Sequence, residues 1–91
     1  MGDRIAVKRY TTKNAGVYSV PQEDLHNAIQ ELGKFEDAWE NLMISQAQIP
    51  LDLEKMRTEG KEKTVRYKET VAQKLINNSI VLFLEKYGLK G

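Results

Sequence analysis

The sequence contains no cysteine. Disulfide cross-links and thiolate metal sites are therefore excluded, and the absence fits a reducing compartment. There is one histidine, His26, and one tryptophan, Trp39. A lone imidazole has no second imidazole or thiolate with which to hold a metal, and no partner for acid–base work. Long hydrophobic runs are also missing. The longest is Ile80–Leu84, IVLFL, against the roughly 18 apolar residues a membrane-spanning helix requires. Residues 1–20 lack the apolar core of an export signal. These absences predict a cytoplasmic chain with no membrane partner.

Phosphate-binding motifs are lacking as well. The six glycines form neither GxGxxG nor GxxxxGK[ST], which argues against nucleotide chemistry. Ser19, Ser45 and Ser79 stand in no nucleophile elbow. Glu36, Asp37 and Glu40 surround Trp39, but on the polar side of an amphipathic helix, where a solvated acidic face is expected. The reading is of a protein that is not an enzyme, with no cofactor and no metal. Were there a catalytic cleft, Arg57, Arg66 or Lys74 beside carboxylates would line it.

What is present is a short chain of 91 residues, enough for one small domain. Such a domain buries only about 60–68% of its unfolded surface and gains from oligomerisation. The formal net charge is +1, but it is unevenly spread. Residues 1–20 are basic, through Arg4, Lys8, Arg9 and Lys13. Residues 21–54 carry eight acids and one base, Lys34. Residues 55–91 carry nine bases and four acids.

The predicted fold class is mainly α: two longer helices and one short one, preceded by a β-hairpin or strand-like arm at residues 1–20. RIAVKRY and VYSV are strand-like, and TTKNAG between them supplies turn residues, with Asn14 and Gly16 tolerant of positive φ. The helical domain covers residues 21–91. Its first helix is expected at about 21–48, opened by Pro21, with Ser19 and Gln22 in capping-box spacing. It should end before Pro50. Leu25, Ala28, Leu32, Phe35, Trp39, Leu42, Gln46 and Ile49 alternate by three and four, one stripe along one face. Gly33 within it points to a kink or a close helix approach. A short helix follows at about 51–59, with Leu53 and Met56 inward and Gly60 as its stop.

The last helix is expected at about 64–87, from Thr64 as N-cap to Gly88 as stop. Tyr67, Val71, Ala72, Leu75, Ile76, Ser79, Ile80, Phe83 and Tyr87 are its candidate inward residues. Near its end apolar residues cover the whole circumference, and one small core cannot cover all sides of a helix. Val81, Leu82 and Leu84, with Trp39 as an anchor, are therefore candidate partner contacts. Asn77 and Asn78 interrupt the pattern and are candidates for fixing helix register.

The cadence of VYSVPQEDLHNAIQEL is similar to the strand and first helix of ribbon-helix-helix repressors. The helix that follows is too long for that family, so none is assigned. The function expected is a small interaction or regulatory module acting as a homo-oligomer, a dimer first. The alternative is nucleic-acid binding, with phosphate contacts from Arg4, Lys8, Arg9 and Lys13 and from Arg57, Lys61, Lys63 and Arg66.

Overall fold

The structure is a computed structural model and describes residues 7–90. It is mainly α, with two long helices and an N-terminal two-stranded hairpin. The chain divides into two compact units, one up to Glu36 and one from Asp37 on.

In the first unit, β1 (Thr12–Asn14) pairs antiparallel with β2 (Val17–Ser19). Thr12 stands opposite Ser19, Lys13 opposite Tyr18 and Asn14 opposite Val17. The turn residues are Ala15 (φ 51°) and Gly16 (φ 80°). Positive φ at both central positions is the mark of a type I′ turn, whose twist matches that of the strands. Thr12, Lys13 and Asn14, expected in the turn, are instead β1, and Val7–Tyr10, expected to be strand-like, lie outside it. Ala15 takes the left-handed position, at about 1–2 kcal/mol for a residue with a Cβ.

The capping box expected at Ser19 does not form. The Ser19 hydroxyl is bonded to that of Thr12 across the strands, at 3.1 Å. Pro21 caps a single 3-10 turn, Gln22–Asp24, with no side-chain bond, and the Asp24 amide donates to the Pro21 carbonyl at 2.9 Å.

Helix α1 follows, Leu25–Thr58, 34 residues. Two expectations are corrected here. The helix does not end before Pro50, and residues 51–58 are its last turns rather than a separate short helix at 51–59. A proline inside a helix forfeits one backbone hydrogen bond and crowds the preceding turn, at about 3 kcal/mol. The stripe explains why the helix survives. Beyond Ile49 it continues in the same phase to Leu53 and Met56, and these three are the buried apolar core. Burying each side chain contributes about 1.5–3 kcal/mol, more in sum than the proline costs. Gly33 marks no close approach, since a Cβ built there meets nothing within 4 Å.

The second unit is a helical hairpin made by the later part of α1 and α2 (Val65–Glu85). Its turn matches the sequence expectation. Gly60 (φ 71°) takes the left-handed position. The Lys61 amide donates to the Met56 carbonyl (2.8 Å) and the Gly60 amide to the Arg57 carbonyl (3.0 Å), a Schellman closure that satisfies the last carbonyls of α1. Thr64 caps α2, its hydroxyl accepting from the Tyr67 amide at 3.2 Å. Gly88 (φ 86°) closes α2 the same way, with the Leu89 amide on the Leu84 carbonyl and the Gly88 amide on the Glu85 carbonyl.

Candidate interaction surface

The two helices of the hairpin meet along a stripe of mixed chemistry. At the turn end, Tyr67 and Val71 pack on Ile49, Leu53 and Met56. The Tyr67 hydroxyl accepts from Arg57 Nε at 3.0 Å. Further along α2 the stripe turns polar. Asn77 is 3% exposed. Its Nδ2 donates to Ser45 Oγ at 2.9 Å, and its Oδ1 accepts from Gln73 Nε2 at 2.8 Å. Next to it, Asn78 Oδ1 accepts from Gln46 Nε2 at 2.9 Å. Every buried side-chain polar atom among the described residues has a partner.

These bonds decide which side of α2 faces α1. At about 100° per residue, Tyr67, Val71, Lys74, Asn77, Asn78, Val81 and Leu84 share one side. All of them are buried or half-buried. The residues expected to point inward on hydropathy lie mostly on the opposite side. Leu75, Ile76, Ile80, Phe83 and Tyr87 are exposed, from 41% at Ile80 to 72% at Tyr87. Ala72 and Ser79 lie among them and are also exposed. The inward assignment of Ala72, Leu75, Ile76, Ser79, Ile80, Phe83 and Tyr87 is therefore corrected, whereas Tyr67 and Val71 do pack inward.

The physical reason is that apolar residues cover most of this helix, so hydropathy alone does not choose a side. A buried asparagine requires hydrogen-bonding partners, and α1 offers them at adjacent positions, Ser45 and Gln46. The result is an open apolar face on α2 formed by Ala72, Leu75, Ile76, Ser79, Ile80, Leu82, Phe83 and Tyr87. Phe83 and Tyr87 stack one turn apart on it, centroids 5.4 Å apart and tilted by 56°.

Among the candidate partner contacts, Leu82 is on this open face. Val81 and Leu84 are half-buried on the side of Asn77, and Trp39 is half-buried on α1. Sequence reasoning had found the surplus of apolar residues but not the side left open. The signal was the pair Asn77–Asn78 set against Ser45–Gln46.

The candidate phosphate contacts fall in both units. Arg4 lies outside the described residues. In the first unit, Lys8 Nζ sits 4.9 Å from the centre of the Tyr10 ring and Lys13 Nζ 5.3 Å from that of Tyr18. Arg9 Nε donates to the Thr11 carbonyl at 3.0 Å. In the second unit, Arg57 also pairs with Glu54 (3.2 Å), and Lys61 pairs with Glu59 (3.2 Å). The bond to Tyr67 is the largest influence holding the Arg57 guanidinium above its ordinary pKa, with Glu54 adding to it. Lys63 and Arg66 are exposed.

A depression of about 480 Å³ at the interhelical turn is lined by Lys55, Lys61 and Arg66, but also by Asp52 and Glu59. His26 is exposed. No cluster of three or more metal-ligating residues occurs among the described residues. No described helix is long and apolar enough to cross a membrane.

In comparisons with known proteins, no family model matches the chain, and neither do any curated protein or solved structure at a significant level.

Proposed function

We propose that the protein is a small, non-enzymatic interaction module that works as a homo-oligomer. The observation that carries this reading is the open face of α2. Its six large apolar side chains stand 41–72% exposed, while the more polar side of the same helix is turned to α1. A contiguous apolar patch of this kind on a soluble helix marks a surface used in association. The homo-oligomer accounts for it with the chain's own residues.

The test is sedimentation equilibrium of the full chain over a range of micromolar concentrations. The expected result is a mass above that of one chain, falling toward it on dilution. A single-chain mass throughout the range contradicts the reading.

A further inference from the structure

The open face of α2 also carries information about how a second copy seats on it. We infer that two copies pair through this face with their α2 helices antiparallel, about a two-fold axis near Ser79 and Ile80. The inference rests on the homo-oligomer reading above and adds the surface, the direction and the register.

Three observations carry it. The first is the order of side-chain sizes along the stripe. Its early part holds Ala72, Leu75 and Ile76, and its late part holds Phe83 and Tyr87. Reversing one copy about Ser79–Ile80 sets each Tyr87 against the other copy's Ala72 and each Phe83 against its Ile76. Bulky aromatic rings then meet smaller side chains, and the interface fills as a core does. A parallel pairing instead sets Tyr87 on Tyr87 and leaves a gap between two alanines.

The second is charge. Arg66 and Lys68 stand in the first turn of α2. A parallel pairing places the two basic starts side by side, whereas an antiparallel pairing separates them and sets the two helix dipoles head to tail.

The third is area. Ile76, Ile80, Phe83 and Tyr87 face the other copy in this register, and their exposed fractions, taken with full areas on the order of 200 Å² each, leave on the order of 450 Å² open per copy. Covering it in both copies removes on the order of 900 Å², the size of a small, reversible interface.

The chain has no cysteine, so a single introduced thiol reports on its neighbours without background. Ser79 is exposed, and Ser79→Cys adds little bulk. Treated with a short bismaleimide, S79C is expected to give a covalent dimer in high yield. Y87C is expected not to, because residue 87 of the two copies lies about 22 Å apart along the axis of an antiparallel pair. Mixing A72C with Y87C is expected to restore cross-linking. Efficient linking of Y87C to itself overturns the antiparallel arrangement. A multimeric mass with no S79C linking overturns this pairing while leaving the homo-oligomer standing. A single-chain mass overturns both. Circular dichroism of each variant confirms that the helices are retained.

Discussion

Asn77 is the residue on which the helical hairpin turns. It is the most buried polar side chain among the described residues, and it links Ser45 on α1 to Gln73 on its own helix. Removing it leaves the Ser45 hydroxyl without this donor in a half-buried site. We expect Asn77→Ala to destabilise the chain by about 1–3 kcal/mol. Urea denaturation is the check, with Asn77→Ala and Ser45→Ala costing less together than the sum of the two. An unchanged midpoint would show that the bond does not set the register. Gly33 offers the opposite case. Nothing within 4 Å would meet a new Cβ there, so Gly33→Ala should stabilise by about 0.5–1 kcal/mol, read as a higher melting temperature at matched protein concentration. Residue by residue, the punctuation was legible in the sequence. Thr64, Gly60 and Gly88 perform the capping their types imply, because each finds its hydrogen-bond partner within a few residues along the chain. Ser19 did not cap, because a strand partner, Thr12, was a better match for its hydroxyl.

The elements were legible where periodicity was read through, and misread where one residue was given too much weight. Pro50 marked an expected end to the first helix. Yet the three-four stripe continues from Ile49 to Leu53 and Met56 with no change of phase, and a genuine interruption would have shifted it. Tertiary burial outweighs a local breaker here. It follows that Pro50→Ala should preserve the structure and raise its stability by about 1–3 kcal/mol. A shift of the urea midpoint to higher concentration checks this, and a shift to lower concentration would mean that the proline shapes a needed bend. In α2 the helix itself was legible, but its orientation was not. The rule that the most apolar side faces inward fails when a helix is apolar nearly all round. Hydrogen-bond complementarity between Asn77–Asn78 and Ser45–Gln46 then decides, and that requires knowing which residues of α1 stand opposite.

At the scale of the whole molecule, little apolar surface is buried: among the described residues, the core is the three apolar side chains of Ile49, Leu53 and Met56. The surplus surface was foreseen from Ile80–Leu84, though the face it occupies was not. Charge separation along the sequence proved less informative. In the 55–68 segment Arg57 pairs with Glu54 and Lys61 with Glu59, each a near neighbour along the chain.

The central claim is that the open face of α2 is where copies meet. Its most direct test is the solution mass of the double variant Ile76→Glu/Phe83→Glu beside the unmodified chain, by light scattering at matched micromolar concentration. Both residues are exposed in the single chain, so the substitutions need not disturb the hairpin. Across an interface they place like charges on a dry surface, which costs several kcal/mol. The account predicts a multimeric mass for the unmodified chain and a single-chain mass, with helicity retained, for the variant. A variant that keeps the full multimeric mass would contradict it.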